Sequence, residues 1–440
     1  MARPIPPLPT AEIATLQAAD RSRVVAELSG VLPLTEAQWF PRGNGYVPNA
    51  SQRIETDSHA IARGRQTEFV GYVAGSVFTH CGDAWGFVGR ALDALLRGDL
   101  GGAVHLVYYA ELRAALSLLA SEGIFIGNVD HFAIASADVQ PFGQKNGTRA
   151  GTHRFAWQAL QAWTDGPRAM TLFSKVVCPG GARFEEWVSS LTSMSAQAKI
   201  DEVFKLMSID LREFDNDHRR RNTASYNPSR LCPRDMPASA IRDLVADVWR
   251  ALEPGPSGGF PVLDDALLPE LLQSIYSSVE RSDVAWDNWV ARLAPASQSG
   301  SALLGSLRAN GRGGARAGLM GAMYTSRSTE SDATVFLRPM LARTVLLLRI
   351  ATGSALQLLH ESGHGPESLG AWVESLAEAR GLWPAGMAFD DPHDLWADVE
   401  LALEEVDAAG TGSLHEFLRG LRTGVLILGQ AERVPVWSFA

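Results

Sequence analysis

The sequence predicts a mainly α-helical protein, and three observations carry that prediction. Apolar residues recur at spacings of three and four over most of the chain after His59. Gly, Pro and Asn fall at the ends of those periodic runs, where helices stop. Strand-like segments are confined to one short stretch near residues 124–135. Of the 440 residues, 46% are hydrophobic and 20% charged, enough apolar material for a sizeable core. A chain of this length has room for two or three domains. The expected organisation is an irregular arm over 1–55, a helical bundle over 56–250, a linker over 251–263 and a second helical domain over 264–440.

The arm is rich in proline at its start, carries one short helix near Thr10–Leu28 and ends in a Gly/Asn/Pro loop around Phe40–Asn49. Gln66–Leu96 has mixed 3- and 4-spacing of apolar residues. Gly101–Glu122 is the strongest helix, with Val104, Val107, Tyr108, Leu112, Ala115, Leu116 and Leu119 on one stripe and Gly123 as its stop. Ile124–Val129 and Phe132–Ala135 form the one plausible strand pair. Gly151–Trp163 opens on Thr152 as a cap. Helices follow at Phe184–Met194 and Ile200–Tyr226, the latter ending at Asn227-Pro228 because a residue before proline avoids the helical basin. Beyond the Pro/Gly/Ser cluster at Glu253–Pro261, helices are expected at Asp264–Arg281, Val284–Leu293, Phe336–His360, Pro366–Arg380, Pro392–Ala408 and Ser413–Ala431. The Gly/Ser/Arg-rich stretch 297–334 reads as a loop or a helix pair with a glycine interface.

Charge and cysteine content narrow the function classes. The net charge of -10 argues against a protein that binds polyanions over its whole surface, so any such site must be local. The three cysteines form no CxxC, which argues against a disulfide scaffold or a cysteine-rich zinc module. The N-terminus lacks a signal-peptide apolar region, and the apolar run Val345–Ile350 is short and broken by Arg349. A cytoplasmic location without membrane insertion is expected.

One window departs from the rest. Residues 212–234 hold six arginines (212, 219, 220, 221, 230 and 234) against Glu213, Asp215 and Asp217 and little else acidic. On a helix, His218, Arg221, Asn222 and Tyr226 fall at i, i+3, i+4 and i+8 and share a face. Cutting RNA without metal needs a base for the attacking 2′-hydroxyl, a cation for the phosphorane charge and a proton for the leaving oxygen. An imidazole suits the proton work, an arginine fork suits the phosphate, and Asn222 would orient either. The plainer alternative is structural: Asp217–Arg221 and Asp215–Arg219 are i,i+4 pairs of the kind that decorate solvated helices, and Tyr226 would lid a helix end.

Arg221-Asn222, three residues and Tyr226 resemble the RNxxxH signature of the HEPN superfamily, dimerising helical bundles that include metal-independent ribonucleases of bacterial defence and toxin systems. Arg212 and His218, with five residues between, make a second match in the same helix. The run His105-Leu-Val-Tyr108-Tyr109-Ala-Glu-Leu-Arg113 looks like an earlier helix of such bundles, so the resemblance spans roughly 60–240. It implies an RNA-directed nuclease or RNA-binding effector in anti-phage defence, acting as a homodimer or with a partner protein and needing no cofactor. Arg221 would hold phosphate, Arg212 would support it, His218 would shuttle the proton, and Asn222 and Tyr226 would position. The sequence departs from the family at Tyr226, which stands in the histidine position. A phenol with an ordinary pKa of about 10 is a poor base, so either His218 substitutes or the domain binds without cutting.

A second constellation, His360-Glu361-Ser362-Gly363-His364, matches HExxH, in which two histidines one turn apart hold zinc and the glutamate activates water. It makes a zinc-dependent hydrolase or peptidase the alternative enzyme, with Glu374, Glu378 or His393 as the third ligand. Gly363 and Gly365-Pro366 weaken it, because they end a helix before His364 can face the same way as His360. A non-catalytic all-α interaction protein is the third reading. The Asn310–Gly318 loop would cradle phosphate but lacks the GK[ST] ending of a P-loop. Asp390-Asp391-Pro-His393-Asp394 has metal-like composition, and His153, at the first turn of a helix, is either a second catalytic histidine or a structural one.

Overall fold

The computed structural model describes residues 5–30, 40, 43–63, 67–128, 130–145, 148–149, 151–189, 209, 211–227, 237–256, 258–279, 286–293, 298–310, 319–321, 333–365, 377–382, 393–421 and 423–439. The elements run α1 (Thr10–Gln17), α2 (Arg21–Ser29), α3 (Ala50–Ala62), α4 (Thr67–Leu96), α5 (Leu100–Ser121), β1 (Ile124–Ile126), β2 (His131–Ile134), β3 (Val139–Phe142), β4 (Gln144–Lys145), β5 (Thr148–Arg149), α6 (Thr152–Thr164), α7 (Pro167–Val176), α8 (Phe184–Ser189), α9 (Leu211–Tyr226), α10 (Ala238–Ala251), α11 (Pro261–Val279), α12 (Trp286–Val290), α13 (Gln298–Asn310), α14 (Ala333–Glu361), α15 (Asp394–Ala408), α16 (Leu414–Gly420), α17 (Gly424–Leu428) and α18 (Arg433–Phe439). The fold is mainly α, as its periodicity predicts.

The architecture is organised around α5. Asp99 caps its first turn by accepting from the Gly102 N–H at 2.8 Å, and Gly123 ends it with a φ of 79°. Helices α4, α6, α9 and α14 all pack on it, which is why it is buried on nearly every side instead of along one stripe. A small antiparallel sheet β1-β2-β3 follows, pairing Phe125 with Phe132 and Phe132 with Pro141. Its first two strands match the predicted pair. The third, Val-Gln-Pro-Phe, has no clean alternation to signal it.

Several local boundaries differ from the sequence reading. The expected helix Thr10–Leu28 is two helices, because the Asp20 carboxylate caps Ser22 and restarts the chain at α2. Thr152 does not cap α6; its hydroxyl donates instead to the Gly127 carbonyl at 2.8 Å, tying the helix start to the end of β1. The arm is also packed: Leu16 and Val24 are fully buried. So is part of the expected linker, where Phe260 stacks on Trp85 at 6.2 Å.

Buried apolar residues from Leu8 to Trp437 form one contiguous cluster, and α14 lies against α4 and α5 within it. The C-terminal helices therefore share the core of the preceding bundle. Two helical segments, Leu100–Ser121 and Phe336–Glu361, have the length and hydropathy of a membrane span, with 78% and 94% of the tested windows buried inside the protein. Arg349, which interrupts the second, is buried and forms a two-point ion pair with Asp264, both contacts at 2.8 Å. Such an arginine is compensated in a protein interior.

Candidate functional site

The arginine-rich helix α9 docks on α5, and its two sides meet different surroundings. On one side Asp217, fully buried, accepts from Arg220 at 2.7 Å and from Arg343 of α14. Glu111 of α5 lies beside them, 3.7 Å from the Arg343 guanidinium, with neither carboxylate oxygen hydrogen-bonded among the described residues. Burial, reinforced by the Asp217 charge, holds its carboxyl well above the ordinary carboxylate range. Arg220 also lies over the Phe336 ring at 4.4 Å. This network joins α5, α9 and α14. Asp217 thus engages Arg220 and Arg343 where the i,i+4 spacing suggested Arg221, whereas the Asp215–Arg219 pair forms as read.

On the other side, His218 and Arg221 converge with residues from two further helices. The Arg221 guanidinium lies 5.1 Å from the ring centre of Tyr108 and 5.7 Å from that of Tyr109, both on α5. His218 stacks on Tyr108 at 5.8 Å and on His153, in the first turn of α6, at 5.9 Å. His105 stands 4.9 Å from Tyr109, and its Nδ1 is 2.7 Å from the Ser225 hydroxyl at the end of α9. Three imidazoles, two phenols and one guanidinium from α5, α6 and α9 thus form one cluster. Arg221 is 9% exposed, and its Nε has no hydrogen-bond partner among the described residues.

The hydrogen bonds orient this cluster. The Trp157 indole N–H donates to the Tyr108 hydroxyl at 3.2 Å, and that hydroxyl lies 3.1 Å from His153 Nδ1. The arrangement that uses each proton once has Tyr108 donating to Nδ1, so neutral His153 carries its own proton on Nε2. Burial first, and the Arg221 charge second, lower the pKa of His153 to about 4. The same two causes lower His218 and His105. Burial raises that of Tyr108, keeping it a phenol. At neutral pH the cluster therefore presents uncharged imidazoles beside a fixed cation, which suits acceptance of a proton next to a bound anion.

The remaining predicted residues lie outside this gathering. Tyr226 is 75% exposed at the end of α9. Five residues turn it about 140° from Arg221 around the helix, too far for the two to share a face. Arg212 is exposed at the start of the helix beside Glu213, and six residues set it about 120° from His218 around the helix. Asn222 is half-buried on the flank of the helix.

The residues of the HExxH match diverge. Helix α14 ends at Glu361, and Gly363, with a φ of 82°, turns the chain away. Glu361 pairs with Arg21 at 2.8 Å, His364 Nε2 is 2.9 Å from the Leu28 carbonyl oxygen, and His360 is exposed. Of the third-ligand candidates, Glu378 is exposed, His393 Nε2 is 2.9 Å from the Gly255 carbonyl oxygen, and Glu374 lies outside the described residues. Among the described residues, no group of three or more His, Cys, Asp and Glu side chains is arranged to hold one metal ion. These donors do not fit a zinc centre in this conformation. Residues 311–318 of the Gly/Arg loop, with Asp390 and Asp391, also lie outside the described residues.

His105, Tyr108 and Tyr109 are the members of the cluster to which the sequence reading gave no chemical role. Their signal was present: they sit at i, i+3 and i+4 on a helix whose other positions are almost all apolar.

Beside the cluster opens a cleft of about 620 Å³ whose wall includes Tyr109 and His153. Comparison of the chain with family models, curated proteins and solved structures finds no match.

Proposed function

We propose that this protein is a metal-independent, RNA-directed endonuclease whose reaction is carried by Arg221 and His218, with His153 in support. The observation that carries the reading is the convergence of Arg221, His218 and His153, from α9 and α6, on the Tyr108 ring. The HEPN resemblance supplies the reaction class and the setting in bacterial defence; the residue roles rest on this geometry.

Arg221 and the Nε2–H of His153 donate to the non-bridging oxygens of a phosphodiester, stabilising charge as the phosphorane forms. Neutral His218 accepts the 2′-hydroxyl proton as that oxygen attacks phosphorus, then returns it to the departing 5′-oxygen. The products are a 2′,3′-cyclic phosphate and a 5′-hydroxyl, with one proton moved and none consumed. Phosphate binding opposes the Arg221 charge and lifts the His218 pKa, aiding the second transfer.

The test is cleavage of single-stranded RNA in EDTA, with end analysis. Wild type is expected to leave cyclic phosphate and 5′-hydroxyl ends. Arg221→Ala should slow cleavage by about 10²–10³-fold, the cost typical of losing one donor to a developing oxyanion. Binding of RNA without cleavage by wild type would instead make the protein a non-catalytic RNA binder.

A further inference from the structure

The cleft of about 620 Å³ is continuous with the reactive cluster, because Tyr109 and His153 belong to both. Its volume lies within the range of small-molecule sites. Its walls combine aromatic and aliphatic side chains, Tyr72, Tyr109, Phe125 and Leu112 among them, with polar ones that include Asn49, Gln52, Glu55 and Asp130. Tyr72 and Phe125 brace one another edge to face at 6.3 Å, and Tyr109 is held by Phe87 at 5.6 Å, so these rings are fixed. The polar groups of the cleft include a cation with a defined orientation: Arg113 donates to His80 Nδ1 at 2.8 Å and lies 3.7 Å from Asp83. A bond donated to Nδ1 requires neutral His80, and burial beside Arg113 lowers its pKa to about 3, so Arg113 and not His80 is the cation there, in a lining that also holds the acidic Glu55 and Asp130.

Flat rings, a neutral imidazole, one guanidinium and the acceptor side chains Glu55 and Asp130 lining a single cleft match a nucleobase with its ribose: π-faces for stacking, N–H groups for ring nitrogens and carbonyl oxygens, and acceptors for base N–H and ribose hydroxyl groups. Tyr109 links the two sites: its ring lies 5.7 Å from the Arg221 guanidinium and it also lines the cleft. We infer that this cleft is a nucleoside subsite, holding the base and ribose attached to the phosphate that Arg221 binds. The assignment of that phosphate rests on the proposed nuclease reading, whereas the nucleoside fit rests on the cleft itself.

The experiment is equilibrium titration of the full chain with adenosine 3′-monophosphate, uridine 3′-monophosphate and inorganic phosphate. At least one nucleotide should bind about tenfold or more tightly than phosphate, the gain expected from stacking one base. Ser51→Trp, at an exposed position on the cleft wall, should abolish that advantage and leave phosphate binding unchanged. Arg113→Gln should weaken nucleotide binding alone, and if it fails to fold, the Ser51 variant decides. Arg221→Ala should weaken all three ligands. Nucleotides binding no tighter than phosphate, or undiminished in Ser51→Trp, would overturn the subsite while leaving RNA cleavage to be judged by its own test. Nucleotide binding lost in Ser51→Trp without any RNA cleavage would uphold the subsite and overturn the nuclease.

Discussion

Arg220 and Arg221 are neighbours in sequence, yet they meet opposite fates. Arg220 is committed to the core: it pairs with buried Asp217 and covers Phe336. Arg221 lies over two tyrosine rings beside two imidazoles, with its Nε unbonded among the described residues. The difference comes from the facing helices. α14 presents Arg343 to one flank of α9, which draws Asp217 and its partners into a closed network. α5 and α6 present tyrosines and histidines to the other flank, and none of these carries a formal negative charge. An arginine-rich helix thus divides into a structural side and a chemical side according to what covers each.

Substitutions on the two flanks should separate accordingly. The largest effect is expected from Asp217→Ala. It leaves the fully buried Arg343 with Glu111, whose raised pKa makes it a poor counter-ion, and should cost about 3–5 kcal/mol of stability. Denaturant unfolding checks this; a loss under about 1 kcal/mol would mean the network is not a buried clamp. Arg221→Ala should do the reverse, losing activity by the factor given above while its melting temperature stays close to that of wild type.

Acid provides a graded comparison. Burial and Arg221 hold His153 and His218 below the free imidazole value, so the folded chain binds fewer protons than the unfolded chain between that value and the folded pKa. Stability should therefore be full above pH ~6.5 and fall as the pH drops through the window toward about 4, the folded value for His153. His153→Gln should flatten this decline, read as a smaller difference in melting temperature between pH 7.5 and 5. An unchanged difference would show that the decline has another source.

The smallest effect is expected from Tyr226→Phe. The ring is 75% exposed, so cleavage should stay within about twofold of wild type, as surface changes usually do. A large loss would return Tyr226 to the role its motif position suggests.

Helical periodicity made most of the fold legible, because α4, α5 and α14 bury apolar residues at helical spacing whatever they pack against. It located α9 and singled out His218 and Arg221. Tyr226 was misjudged because i+8 looks aligned on a helical wheel, although five residues from Arg221 is nearly half a turn away. The stripe of His105, Tyr108 and Tyr109 was visible, but not its partners, because these depend on α9 crossing α5, a contact between positions more than a hundred residues apart. The HExxH match failed geometrically at Gly363, whose left-handed conformation ends the helix before its second histidine. α7 and β3 were missed because the Trp163–Pro167 junction, and the proline within β3, mask their ends.

The most direct test of the central claim compares wild type with His218→Gln on an RNA of defined sequence, and on the same RNA carrying 2′-deoxyribose at the cut position, both in EDTA. Wild type is expected to cleave to a 2′,3′-cyclic phosphate and to lose cleavage at the deoxy position, with a drop of at least about 10²-fold in His218→Gln and folding unchanged. Wild-type cleavage that persists at the deoxy position, or that survives His218→Gln undiminished, would contradict that claim.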